Sequence, residues 1–109
     1  FRVILDASPA SKGHALILPK EHYADLYELD DEVAAKTLVL AKKMVKKLTP
    51  ILGCDGYNIV QNNKETAGQT VFHMHLIPRY KGDKVGLGWK MGQLDNAQKE
   101  EILAKIREE

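Results

Sequence analysis

The chain has a single cysteine, Cys54, a single tryptophan and no marked excess of either charge. One cysteine closes no internal disulfide, so the fold is not a stapled secreted scaffold. Cys54 reads as a small apolar residue beside the turn at Gly53 and Gly56. Sixteen Lys and Arg against 15 Asp and Glu leave a formal charge of +1. That balance removes the general electrostatic argument for coating nucleic acid or a membrane surface. Aromatics make up 6% of the chain and do not interleave with its basic residues, as a single-strand-binding surface would require. No apolar run approaches the roughly 18 residues of a membrane span. Ala15-Leu16-Ile17-Leu18, for instance, is cut by Pro19. No segment reads as a secretory leader. The chain opens at Phe1 in what reads as a strand, so the expectation is that an N-terminal segment is missing and that the setting is the reducing cytoplasm.

What is present is an ordinary globular composition, 44% hydrophobic and 28% charged over 109 residues, and it predicts one domain over residues 1–109. Arg2 to Leu5 and His14 to Leu18 read as strands around a turn-rich connection, Asp6 to Gly13. Tyr23 to Leu29 reads as a short helical turn. From Asp30 to Leu48 a helical period puts Val33, Thr37, Leu40, Ala41, Met44 and Leu48 on one face, broadened by Ala34, Leu38 and Val45. The lysines of this helix read as a solvated outer face, and Pro50 with Gly53 ends it. Gly56 to Gln61 and Val71 to Ile77 are the third and fourth strands, the latter stopped by Pro78. A glycine-rich excursion carries Trp89, and Asp95 to Glu108 is a second helix with Ile102, Leu103 and Ile106 as its apolar stripe. Strands and helices do not alternate, so the fold class is α+β: a mainly antiparallel sheet, one long helix and a C-terminal helix.

Of the four histidines, His73 and His75 stand two apart in a strand pattern. Side chains two apart share a face at about 6.5–7 Å. Thr70, Phe72, Met74 and Leu76 then form the apolar core side, and the two imidazoles lie together on the other. One imidazole can attack a phosphorus or carbonyl while its neighbour donates to the developing charge. The spacing alone serves metal ligation equally well, because neutral imidazole is the commonest metal ligand.

Gly68-Gln69-Thr70-Val71-Phe72-His73-Met74-His75-Leu76-Ile77-Pro78-Arg79-Tyr80 resembles the signature strand of the histidine triad (HIT) family of nucleotide hydrolases and transferases. Leu5 to His22, with its Gly13-His14-Ala15-Leu16-Ile17-Leu18-Pro19 run, is similar to that family's first block, and Tyr57 to Asn63 to the segment before its catalytic loop. The likeness is greatest to bacterial members and covers nearly the whole chain in family order. One departure falls in the strand itself. The family carries three alternating histidines and this chain two. Anchored from Pro78-Arg79, His73 and His75 match the second and third, and Val71 stands where the first would be. Anchored from Gly68-Gln69, His73 is the first and Ile77 replaces the third. The C-terminal anchor keeps the nucleophile and its partner together, and on it the resemblance assigns His73 and His75.

The resemblance implies a HIT-like domain that hydrolyses or transfers nucleotide conjugates, of the nucleoside phosphoramidase or dinucleoside polyphosphate hydrolase type. It acts at the α-phosphate through a nucleotidyl-histidine intermediate. His73 would be the nucleophile and His75 its phosphate-binding partner. Asp6 would bind the ribose hydroxyls, Asn62 matches an active-site asparagine, and Gln69 and Thr70 would hold phosphate oxygens with nearby amides. Ile4, with Leu5 or Ile17, would flank the base, and His14 would support the site through hydrogen bonds. His22 matches a zinc ligand of some bacterial members, but only together with an upstream Cys-x-x-Cys that this chain lacks. No metal and no cofactor are therefore expected in this chain, with structural zinc an option for a longer protein. Purine nucleotide conjugates of the AMP or GMP type are the expected substrates, with no nucleic-acid or membrane partner. A homodimer using the long helix, with Met44, Leu48 and Trp89, is implied as well. The alternatives are a non-catalytic nucleotide-binding module and a metal-binding module built on the histidines.

Overall fold

The computed structural model describes residues 1–108. In chain order the elements are β1 (Arg2–Leu5), β2 (Ala15–Leu18), α1 (Asp31–Leu52), β3 (Gly56–Val60), a single 3-10 turn (Glu65–Ala67), β4 (Met74–Arg79) and α2 (Asn96–Arg107). The strands form one antiparallel sheet in the order β1-β2-β4-β3. This is the α+β architecture expected from the sequence. Helix α1 covers one face of the sheet, where Ala15, Ile17, Leu76 and Ala41 are fully buried and Met74, Tyr57, Leu40, Met44 and Val45 pack around them. Ala41 is small where helix and sheet meet, which lets the layers approach closely.

Several boundaries differ from the sequence expectation, each for an identifiable reason. Strand β4 begins at Met74 rather than Val71. The Phe72 amide donates to Tyr23 O at 2.8 Å and the Val71 carbonyl accepts from the His73 ring at 3.0 Å, so neither group is available to the ladder. The same strand runs through Pro78 to Arg79. Its pairing to β2 ends at Leu76. Beyond that point the Pro78 carbonyl, which faces the same side as the missing N–H, accepts from Ser11 Oγ at 2.6 Å. The proline therefore costs no ladder bond. Helix α1 likewise passes through Pro50 and stops at Gly53, whose left-handed φ of 66° lets its amide reach Thr49 O at 2.9 Å. Residues 23–29 form turns rather than a helical turn. Leu38 is 57% exposed and does not broaden the buried face. The stripe of α2, Ile102, Leu103 and Ile106, is exposed as well. Capped by a reciprocal Asp95–Gln98 box, α2 is set by local rather than tertiary contacts. The radius of gyration, 16.7 Å, exceeds the ~13 Å of a compact chain this long, in keeping with an exposed C-terminal stretch.

Candidate functional site

The turn between β1 and β2 delivers the first site residues. Asp6 N donates to His14 O at 2.9 Å, closing the loop, and Asp6 Oδ1 accepts from Ser8 N at 2.8 Å. The loop is tied to the far end of β4 by Ser11 Oγ to Pro78 O and by Tyr80 Oη to Lys12 O at 2.7 Å. Gly13 sits at φ 88°, a left-handed conformation that favours glycine immediately before His14, and a Cβ there would also have to displace the tip of Leu52, 2.5 Å away. His14 is 6% exposed. On the other side of the site, Arg79 is held by Asp83 through two bonds of 2.9 and 2.7 Å and donates to Asn58 Oδ1 at 2.7 Å. This arginine is committed to the fold. Charge-assisted bonds from Arg79 and Tyr80 N hold the Asp83 carboxyl well below the usual carboxylate range.

Across the sheet, Leu16 and Val60 both stand opposite His75. The three side chains thus share the face opposite α1. His75 Nδ1 lies 2.9 Å from His14 Nε2, which lies 3.5 Å from Asp6 Oδ2. The His73 and His75 rings are 4.7 Å apart between centroids, and those of His14 and His75 5.1 Å. The two imidazoles expected to adjoin therefore do so, although His73 precedes the strand. A carbonyl only accepts, so the contact of His73 Nδ1 with Val71 O puts the ring proton on Nδ1 and leaves Nε2 with its lone pair.

The other residues named from the sequence lie as follows. Asp6 joins His14 and His75, one carboxylate oxygen on its own turn and the other on His14. Asn62 is half-buried just after β3, beyond the last β3–β4 pair, Val60 with His75. Gln69 is half-buried and Thr70 exposed in the loop before β4. His22 is exposed and is not a member of the Asp6–His14–His75 group. Ile17 is fully buried beneath α1, which corrects the idea that it flanks a base. The sequence did not reveal how residues 23–29 are fastened to the loop after β3. Asp25, 5% exposed, pairs with Lys64 at 3.1 Å, Leu26 N donates to Asn63 Oδ1 at 2.7 Å, and Lys64 takes a positive φ of 68°. None of these contacts has a local sequence signal.

Among the described residues, Asp6, His14 and His75 form the one group whose ligand atoms all lie within 4.8 Å of one another. Its hydrogen bonding runs against metal ligation. Ala10 N donates to His14 Nδ1 at 3.0 Å. A histidine bound to metal through Nε2 carries its proton on Nδ1, normally donated to an acceptor, and here that position meets an amide hydrogen.

Burial lowers the His75 pKa below its ordinary value, helped by the neighbouring His73 and His14 and opposed by Asp6. The unfolded chain therefore binds a proton at His75 before the folded one does. The associated stability is intact above the unfolded histidine pKa, near 6.5, and falls as pH drops below it. Melting temperatures measured from pH 8 to 5 should decline in that window, and His75→Gln should flatten this part of the curve. An unchanged slope in the variant would contradict the shift.

An antiparallel α+β sheet under one long helix thus carries three clustered imidazoles, His14, His73 and His75, on its open face. A family model described as the HIT domain matches residues 1–82. The chain is 44% identical over 105 residues to a HIT-like protein of Methanocaldococcus jannaschii, covering 94% of this chain and 79% of that one. It is 43% identical over 110 residues to the adenosine 5'-monophosphoramidase of Schizosaccharomyces pombe, covering 94% and 80%. A crystal structure of a HIT family protein from Bacillus anthracis superposes with a TM-score of 0.85 at 36% identity, covering 97% of this chain and 79% of that one. The chain belongs to the HIT family.

Proposed function

We propose that this chain is a hydrolase or transferase of nucleoside 5'-monophosphate conjugates, acting at the α-phosphorus through a nucleotidyl-histidine intermediate. The observation that carries the reading is the His73 Nδ1 contact with Val71 O, which leaves Nε2 as the attacking atom. In the first step the Nε2 lone pair forms a bond to the α-phosphorus. The bond from phosphorus to the leaving group breaks, and the leaving group departs with a proton from solvent. In the second step water attacks the phosphorus, the P–Nε2 bond breaks, and the proton of that water returns to solvent. Nδ1–H stays on Val71 throughout, so His73 ends as it began. His75 donates a hydrogen bond to a phosphoryl oxygen as charge builds on it.

Gln69, Thr70 and the amides of their loop hold the remaining phosphate oxygens, Asn62 orients the phosphate, and Asp6 accepts from the ribose hydroxyls with its free lone pairs. The similarity to an adenosine 5'-monophosphoramidase favours purine conjugates of the AMP or GMP type. No metal enters this scheme, and its setting is the cytoplasm. Among the described residues no helix is long and apolar enough to cross a membrane.

Adenosine 5'-phosphoramidate in oxygen-18 water tests the reading. The expected products are ammonia and AMP carrying one labelled oxygen on phosphorus. Tight binding without turnover would instead make the chain a binding module, and activity only with an added divalent metal would overturn the mechanism.

The reading includes a homodimer. Strand β3 is a sheet edge. Its Ile59 and the adjoining Leu38 and Val39 of α1, 48%, 57% and 55% exposed, line a mainly apolar recess with Ala34, Ala35, Val45 and the stems of Lys42 and Lys46. An open edge is satisfied by another strand edge, and the same edge paired across a two-fold axis closes the assembly while bringing the two helical strips together. Sedimentation equilibrium should give twice 12.2 kDa, and Leu38→Asp combined with Ile59→Asp should give the monomer. A monomeric wild type would remove this part of the reading.

A further inference from the structure

Both ends of the loop between β3 and β4 are tied to one short segment, residues 23–27. At the entry, Lys64 Nζ donates to Oδ2 of the buried Asp25 at 3.1 Å and stands 4.7 Å from the centre of the Tyr27 ring. Beside it Asn63 Oδ1 accepts from Leu26 N at 2.7 Å. At the exit, the Phe72 amide donates to Tyr23 O at 2.8 Å. Between these ties, residues 65–71 include Gln69, Thr70 and the Val71 carbonyl that holds the His73 ring.

The chain turns into this loop at Lys64. Its φ of 68° and ψ of 163° fall in a region open essentially to glycine alone, and no other non-glycine among the described residues has a positive φ. A side chain persists there only where its surroundings over-determine it. The ammonium supplies that constraint, through an ion pair to a carboxylate with little access to water and through the face of an aromatic ring. Burial alone would raise the Asp25 carboxyl, but the bonds from Lys64 and from the amides of Glu28 and Tyr27 outweigh it and hold it below its ordinary value. The partner of Lys64 is therefore ionised at neutral pH.

The unusual backbone aims the Lys64 carbonyl into the loop, where it accepts from Ala67 N at 3.1 Å and Gln69 N at 3.2 Å. Gly68, at φ 98°, completes the turn with its amide on Glu65 O at 2.8 Å. The main chain of Gln69 is thus anchored to Lys64, and its side chain and Thr70 follow from that anchor.

We propose that Lys64 is a positioning residue: clamped by Asp25 and Tyr27 in a backbone conformation foreign to its side chain, it braces the loop that presents Gln69 and Thr70 to the phosphoryl group. What the loop receives rests on the nucleotidyl-transfer reading; the brace itself does not.

Backbone hydrogen exchange without substrate, together with kinetics on adenosine 5'-phosphoramidate, tests the brace. Lys64→Met keeps the stem and the strain but loses the ammonium. The Ala67 and Gln69 amides should then lose protection while those of β4 keep it. In the same variant kcat/KM should fall roughly 10- to 100-fold, as a misplacement of about 1 Å away from the reacting centre costs. Asp25→Asn should give the same losses although the Lys64 charge remains, which separates a brace from simple attraction of phosphate by a lysine. Lys64→Gly also lacks the ammonium but takes this backbone conformation without strain, so it should keep the protection and most of kcat/KM. Lys64→Arg renews the ion pair and should do the same. Unchanged exchange and kinetics in Lys64→Met overturn the proposal, as does a Lys64→Gly variant as impaired as Lys64→Met, or a fully active Asp25→Asn variant. If Lys64→Met and Asp25→Asn loosen the loop as stated, yet the wild type turns over no phosphoramidate, the brace stands and the hydrolase reading fails.

Discussion

His73→Ala is expected to eliminate turnover of adenosine 5'-phosphoramidate, lowering kcat by roughly 10⁴-fold or more, as loss of a covalent nucleophile does. Binding of AMP should persist, because the groups assigned to the ribose and phosphate are untouched. The size of this effect follows from geometry. His73 lies at the entrance to β4, partly exposed, with Nδ1 occupied by Val71 O and Nε2 unpaired. His75 is arranged the other way, its Nδ1 occupied by His14. The two rings therefore cannot substitute for each other, and His75→Ala should cost less, about 10²–10³-fold, as removal of one donor. A His73→Ala enzyme retaining a tenth of the activity, with His75→Ala dead, would exchange the two roles.

The second large effect is on stability. Leu76→Ala should destabilise the protein by about 3 kcal/mol, within the range of about 2–5 measured for buried Leu-to-Ala changes, and lower the melting temperature by roughly 10–15 °C. Leu76 is fully buried in the central strand, opposite both Ala15 and Ile59, beneath Ala41 of α1. Its neighbour on that strand is His75, so the same change should broaden the His75 signals. Ile106→Ala on the exposed face of α2 serves as the control and should shift stability by no more than about 0.5 kcal/mol. Equal losses from the two changes would mean that the core does not lie between α1 and the sheet.

The sequence made the fold legible where periodicity and turn chemistry agree. The 3.6-residue pattern of α1 placed Thr37 and Ala41 inward, and both are buried. The alternation of Met74 and Leu76 against His75 identified the core face of β4. Local signals misled where tertiary contacts override them. Pro78 and Pro50 read as stops, but Pro78 faces a side where the ladder has already ended, and Pro50 forfeits one bond near the end of a helix that Gly53 terminates. Val71 and Phe72 have strand propensity, yet their backbone groups go to the His73 ring and to Tyr23. Leu38 and the α2 stripe look like core residues because periodicity marks an apolar face without saying what covers it.

The candidate site was legible as a pair of neighbouring imidazoles, and the family resemblance pointed to Asp6, which joins them through His14, and to Asn62, Gln69 and Thr70 as proposed ligand groups. The contact of His14 with His75 spans 61 residues, and its polarity is set by the main-chain amide of Ala10. A backbone donor leaves no trace in residue identity, so no pattern in the chain announces it. The same holds for the Asp25–Lys64 pair, which joins two loops 39 residues apart.

The most direct measurement is to mix the protein with adenosine 5'-phosphoramidate, quench in alkali within milliseconds, and map the chain by mass spectrometry. An adenylyl group on His73, absent in His73→Ala and chased by water into AMP, is the predicted result. An adduct confined to His75 would contradict the assignment of the attacking atom, and AMP formed with no adduct on any residue would contradict covalent catalysis altogether.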